Sequence, residues 1–378
     1  MRPSRRAWLG NSLLLLAAVG ATAAGFELIL RIALPQKLYR YPHDLFREDS
    51  EIGFVLNPGF SGELRTPEFR TQMRINTLGF RNAELSPKPA GISRVLVVGD
   101  SFVSALNVES GETFVSIAGR ALEQRLGARR VELVNAGTPN YGTWHELRIL
   151  RRYAGSLAID VAVLCVFVGN DLEDNLRPLG ATVRDGYLVE RQPGSGLLPR
   201  PVRVWLQRHS MAYVFLWNAY DRVRDRILGR TSSPLGRFGP LLTTSGDAQA
   251  QDAYRQSGEL LREARDFLAG FHIPLVLMII PHELQVYPKK FASLAAAIPG
   301  RDGDSGFDLT LPNRRWVALA ESLGLPTVDL LPVLRTRNAG PPLYMSLDGH
   351  LTVEGNKVTG EALASALIPL LAENGPAR

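Results

Sequence analysis

A single cysteine among 378 residues excludes an intramolecular disulfide and any cysteine-built metal cluster. Cys165 sits inside an apolar run and reads as a small buried hydrophobe. Lysine is also scarce: Lys37, Lys88, Lys289, Lys290 and Lys357 are the only five, so arginine supplies almost all of the 43 cationic side chains. The formal net charge is +6, yet beyond the N-terminus no dense basic run occurs, and aromatics do not interleave with basic residues. The positive balance is therefore compositional, and no nucleic-acid partner is expected. Gly99 and Gly137 lack the spacing of a nucleotide-binding loop. Asp171, Glu173 and Asp174 and the six scattered histidines form no metal-ligand pattern, so neither cofactor nor metal is expected.

One stretch is rich where the rest is lean. Arg2, Arg5 and Arg6 precede residues 8–26, which carry no charge, before Glu27 interrupts and Arg31 closes. Nineteen helical residues reach about 28 Å, the thickness of a bilayer core. The basic end should stay in the cytoplasm, leaving the rest of the chain outside it. Residues 1–33 are thus read as an uncleaved membrane anchor. A cleaved signal peptide, and with it a secreted protein, is the competing reading, because Ala21-Thr22-Ala23 has the form of a cleavage site.

Residues 34–90 are rich in Pro, Gly and Arg, and a short strand or two is expected there. The core then alternates short apolar strands with helices. Strands are expected at 95–98, 131–135, 161–168, 274–280 and 326–330. Helices are expected at 112–126, 143–153, 260–271, 316–323 and 353–371, and 291–313 reads as a loop region. Alternation of this kind marks an α/β fold with a five-stranded parallel sheet. Residues 175–252 break it and read as a cap-like insertion, with one helix over 202–228. The main domain is therefore read as 91–174 together with 253–378.

Open parallel sheets place their chemistry at the carboxyl ends of strands. Ser101, Gly137, Asn170 and His282 fall there, and Asp348 and His350 lie in the last loop before the final helix. A serine hydroxyl needs a neighbouring base to act as a nucleophile. Only His350 combines an imidazole with a nearby carboxylate in such a loop. In an extended loop, residues two apart point the same way, which would pair Asp348 with His350. His282 and Glu283 read equally as cleft-lining or as packing residues.

These residues also resemble a known family. Gly99-Asp100-Ser101-Phe102, Asn135-Ala136-Gly137, Gly169-Asn170-Asp171 and Asp348-Gly349-His350 are similar, in order, to the four blocks of the SGNH (GDSL-like) hydrolase superfamily. The likeness spans residues 94–371 and leaves the insertion unmatched. It implies a three-layer, flavodoxin-like α/β/α fold with Ser101 as nucleophile, His350 as base and Asp348 orienting it. The Ser101 and Gly137 backbone N–H groups and the Asn170 side chain would form the oxyanion hole. The common pattern places Asp three residues before His; here the separation is two, a form resembling some membrane-associated polysaccharide acetylation proteins. The anchor and the segment Asn76 to Arg81 look like a bacterial extracytoplasmic branch of the superfamily, which implies an anchor in the inner membrane and a domain in the periplasm.

The expected function is ester hydrolysis that removes O-acyl groups, acetyl above all, from a cell-envelope or extracellular glycan. Three alternatives stay open: an O-acyltransferase of polysaccharide modification, whose partner would be a multi-span membrane acyltransferase; a lipid or general carboxylesterase; and a noncatalytic glycan-binding or assembly subunit.

Overall fold

The structure is a computed structural model that describes residues 5–38, 41–127, 130–190, 198–227, 235, 238–243, 248–296 and 306–373. They group into two compact units. The first draws on Met1–Arg40, Thr66–Glu68 and Gly194–Ser232; the second comprises Tyr41–Arg65, Phe69–Pro193 and Ser233–Arg378.

The first unit is built on the helix Arg5–Ala33, whose segment Gly10–Ala33 contains an 18-residue window of mean hydropathy 2.1, 6% of which is buried. Two further helices, Arg200–His209 and Met211–Ile227, accompany it. Sequence periodicity gave one helix here; the break falls at Ser210, in an extended conformation. The Ser210 hydroxyl accepts the Tyr213 N–H at 3.1 Å and so caps the second helix, a role serine fills better than a helix interior. Glu27, the lone carboxylate of the apolar helix, accepts the Met211 and Ala212 N–H groups at 3.0 and 2.9 Å and the Ser210 hydroxyl at 3.0 Å. A carboxylate on otherwise unpaired N-terminal amides is a stabilising arrangement. Arg31 donates to the His209 carbonyl at 2.7 Å, and Phe26 meets Phe215 edge-on.

The second unit contains the parallel sheet. Its strands are β1 (Ile92–Val98), β2 (Arg130–Asn135), β3 (Val161–Phe167), β4 (Leu275–Ile280) and β5 (Thr327–Asp329), in the spatial order β5-β4-β3-β1-β2. All four pairings are parallel. Side-chain alternation sends Leu96, Val98, Leu164, Val166, Leu277 and Ile279 into one core and Val95, Val97, Val163, Cys165, Val276 and Met278 into the other. The first core is covered by the helices Thr143–Tyr153, Ala248–Ala269 and Leu311–Ser322; the second by Phe114–Leu126 and Val353–Glu373. This is a three-layer α/β/α sandwich. Cys165 is buried, with its sulfur 3.8 Å from that of Met278.

Around the sandwich lie three antiparallel hairpins. Phe46–Asp49 pairs with Gly53–Leu56, Ser61–Arg65 with Arg70–Arg74, and Ala181–Arg184 with Tyr187–Glu190. Residues 34–90 thus hold four strands where one or two were expected. The third hairpin turns at Asp185-Gly186, both with positive φ, as a tight two-residue turn requires. Helix Ala248–Ala269 starts twelve residues before the expected point. Its first turns bury only Ala250, Ala253 and Ser257, a face without large apolar residues to mark it. Helices Pro288–Ala295 and Leu330–Arg337 were also not anticipated; part of the expected loop region, 297–305, lies outside the described residues.

Candidate active site

β1 delivers Ser101 to the first position of a four-residue helix, Ser101–Ser104. Asp100 caps it, accepting the Phe102 N–H at 2.8 Å. The last turn closes on Ala105, held at φ 44°, whose N–H donates to the Ser101 carbonyl at 2.9 Å. Three carbonyls behind this turn, those of Ser104, Ala105 and Val108, accept hydrogen bonds from the buried Arg81 guanidinium. Arg81 is set by the preceding loop, where Asn76 Oδ1 accepts the Leu78 and Phe80 N–H groups and Gly79 takes φ 84°. Sequence reading singled out Asn76 to Arg81 without giving it this task.

His350 Nε2 stands 2.7 Å from Ser101 Oγ, and His350 Nδ1 is hydrogen-bonded to Asp348 Oδ1. Both side chains are nearly buried, and the Phe102 ring lies 4.8 Å from the imidazole. The connecting loop is not extended, as the two-residue separation suggested. Gly349 adopts φ 80°, and the Met345 N–H donates to the His350 carbonyl. A glycine in this left-handed conformation lets a carboxylate two residues back reach the ring. Asn107 fixes the loop by donating to the Leu351 carbonyl at 2.7 Å.

The expected oxyanion donors are arranged unequally. Gly137 closes against the Ser101–Ser104 turn: a Cβ there would come within 2.4 Å of Ser104 N, so no other residue fits. Its N–H donates to Asn135 Oδ1 at 3.1 Å, while Asn135 Nδ2 donates to the Val103 carbonyl at 2.7 Å. Asn170 precedes helix Asp171–Leu176 and donates through Nδ2 to Asp174 Oδ2 at 2.7 Å; its buried Oδ1 has no hydrogen-bond partner among the described residues. Asp171 reaches back to accept the Phe167 N–H at 2.9 Å, anchoring the end of β3.

Beneath the serine lies a feature the sequence concealed, a set of three buried carboxyls, Asp100, Glu146 and Asp171. Burial pushes Asp100 up to about 6, with hydrogen bonds from Phe102, Asn170 and Ser101 pulling it back. Burial, and then the neighbouring acids, raise Glu146 and Asp171 well above the usual carboxyl range. Among the described residues no cation is paired with Glu146, and neither of its oxygens has a hydrogen-bond partner. Protonation is the remedy for a carboxyl removed from water in this way.

The other sequence candidate at a strand end, His282, is a cap. Its Nδ1 accepts the Leu284 N–H at 3.1 Å, its ring stacks on Phe238, and burial lowers its pKa to about 4. His145 is buried too, stacked on Tyr141 and lowered by burial to about 3. Next to Asn170 opens a cleft of about 240 Å³, with Leu172, Leu176, Leu241 and Ala250 among its apolar walls and Glu173 and Gln249 among its polar ones. Pro240, Leu241, Gln249 and Ala250, from the region read as an insertion, line one side of it.

Three comparisons bear on this arrangement. Residues 235–378 match the family described as SGNH hydrolase-like domain, acetyltransferase AlgX; that segment contains Asp348 and His350 and stops short of Ser101. A curated relative, the probable alginate O-acetylase AlgJ of Azotobacter vinelandii, is 29% identical over 130 residues, covering 34% of this chain and 31% of that protein. The match thus spans about a third of the relative's length. Among solved structures, TesA is 13% identical over 74% of this chain and 100% of its own, with a TM-score of 0.41. The acetyl xylan esterase AlAXEase is 13% identical over 72% and 99%, with a TM-score of 0.40.

Proposed function

From the premise that this chain carries an SGNH hydrolase-like domain, we propose that Ser101 forms an acyl-enzyme and passes an acetyl group to or from a hydroxyl of a cell-envelope polysaccharide. The observation that carries the proposal is the 2.7 Å separation of His350 Nε2 and Ser101 Oγ, with Asp348 bonded to the other ring nitrogen. Such a succession is what a hydroxyl needs to become a nucleophile, and a noncatalytic binding subunit has no use for it.

Ser101 Oγ attacks the ester carbonyl carbon as its proton passes to His350 Nε2, and Asp348 stabilises the imidazolium. The expected oxyanion donors are the Ser101 N–H, the Asn170 amide and the Gly137 N–H, and each must turn from its present acceptor: Asp100 for Ser101, Asp100 and Asp174 for Asn170, and Asn135 Oδ1 for Gly137. Collapse breaks the ester C–O bond, and Nε2 returns the proton to the departing alcohol oxygen. An acceptor hydroxyl then gives its proton to Nε2 and attacks the acyl carbon; the bond from that carbon to Ser101 Oγ breaks, and Oγ takes the proton back from Nε2.

If the acceptor is a sugar, the reaction is transfer; if it is water, hydrolysis. Sequence reasoning put hydrolysis first. The matched family and relative are both described by acetyl transfer, which moves transfer to first place and leaves hydrolysis as the second reading. The apolar helix Gly10–Ala33 serves, in this proposal, as the membrane anchor that holds the domain on the extracytoplasmic side.

The test uses the detergent-solubilised full chain with an acetyl ester donor and an unacetylated oligosaccharide. Acetyl on the sugar by mass spectrometry, absent with Ser101→Ala, supports transfer. Acetate release alone supports hydrolysis. Neither, in a folded protein, refutes the proposal.

A further inference from the structure

The helices Arg200–His209 and Met211–Ile227 expose what a protein in water normally hides. Trp205 is 58% exposed, Leu216 and Tyr220 are 56%, and Val223 is 57%. Leu216, Tyr220 and Val223 follow one another at helical spacing, so they form a continuous stripe. Exposed apolar surface concentrated in this way marks an interaction site. Six arginines against two aspartates give the described segment 198–227 a positive balance.

Where the stripe begins is fixed by Glu27. Glu27 lies in the last two turns of the apolar segment Gly10–Ala33, about 25 Å along the helix from Gly10. The Glu27 carboxylate sits on the N-terminus of Met211–Ile227 through the Met211 and Ala212 amides, and Arg31, one turn further, holds the His209 carbonyl. The two helices are therefore tied to the apolar helix near the end of its span. A carboxylate at this depth, bonded to backbone amides, escapes the cost that an unpaired charge would meet there.

We propose that Arg200–His209 and Met211–Ile227 form an interfacial foot, lying in the headgroup layer of the bilayer that the N-terminal helix crosses. Trp205 and Tyr220 take the aromatic-belt position, Leu216 and Val223 enter the acyl boundary, and the arginine excess favours an anionic leaflet. The occupant is lipid because the surface is continuous with the membrane-spanning helix and carries the matching charge. This inference rests on the anchor reading above.

The test is depth measurement by spin label on the full chain, in phosphatidylcholine vesicles with and without phosphatidylglycerol. In a Cys165→Ala background, single cysteines are introduced as Leu216→Cys, Tyr220→Cys and Trp205→Cys. Leu15→Cys serves as the mid-anchor reference and Glu123→Cys as the aqueous one. The expected result is an oxygen-to-nickel accessibility ratio at positions 216, 220 and 205 several-fold above that at 123 and below that at 15, larger with the anionic lipid. If positions 216 and 220 match 123 while 15 reads deep, the anchor stands and the foot is overturned. If position 15 also reads as aqueous, the anchor reading falls and the foot falls with it.

Discussion

His350 Nε2 and Ser101 Oγ, 249 residues apart in sequence, stand 2.7 Å apart at the carboxyl edge of the sheet. The contact assigns separate losses to each member of the triad. His350→Ala removes the base, and kcat is expected to fall by about 10³-fold or more with KM little changed. Asp348→Asn keeps the shape but misassigns the ring proton, with an expected loss of about 10²- to 10⁴-fold. Steady-state kinetics on an aryl acetate, paired with circular dichroism to establish folding, measures both. An Asp348→Asn enzyme with full activity would remove Asp348 from the mechanism.

Arg81 is expected to matter without touching substrate. It supplies donors to three carbonyls behind the Ser101–Ser104 turn, and burial lowers its pKa to about 10. Arg81→Met strands those carbonyls and should lower unfolding stability by about 2–4 kcal/mol in denaturant titration. Arg120, exposed and donating to the Gly111 carbonyl, should tolerate alanine within about 0.5 kcal/mol.

The three buried acids predict an unusual pH dependence of stability. In the unfolded chain Asp100 and Glu146 lose protons near their ordinary 3.8 and 4.5, whereas in the native state burial makes them hold on, Asp100 to about 6 and Glu146 well above its ordinary value. The stabilisation this gives is complete below about pH 4. It declines as pH rises, for Asp100 through about 6. Glu146→Gln cannot ionise, so its melting temperature should fall less between pH 5 and 8 than that of the unaltered protein. The difference approaches about 1.4 kcal/mol per pH unit while Glu146 is still protonated in the native state. Parallel slopes in thermal melts would show Glu146 to be ionised throughout.

The cleft beside Asn170 gives a handle on substrate size. Leu241→Trp narrows it, and KM for an oligosaccharide ester should rise about 10-fold or more while aryl acetate kinetics stay within a factor of about two. Equal effects on both substrates would mean that the cleft serves only the acetyl group.

The sandwich was legible because its strands are continuous apolar runs bounded by Gly, Pro and Asn, and of the residues to which the four blocks pointed, Ser101 and His350 stand in hydrogen-bond contact. What escaped reading had other physical origins. Strands such as Phe46–Asp49 and Arg70–Arg74 are short and largely polar, so their apolar period is too brief to register. The start of Ala248–Ala269 packs alanine and serine instead of leucine. Glu146 carries no local signal, since its burial and its nearness to the Asp100 charge are tertiary facts. Asn135 sat inside a recognised block, yet its hold on Gly137 and Val103 depends on the turn that places them together. Glu27 read as an interruption of an anchor; its amide partners lie more than 180 residues later.

The most direct measurement is acyl-enzyme trapping. The full chain is mixed with p-nitrophenyl acetate, quenched in acid and digested, and the Ser101 peptide is examined by mass spectrometry. The expected result is one acetyl group on Ser101, accumulating as p-nitrophenol is released, with both signals lost in Ser101→Ala. Undiminished p-nitrophenol release by Ser101→Ala, with the acetyl group on another residue, would contradict the account.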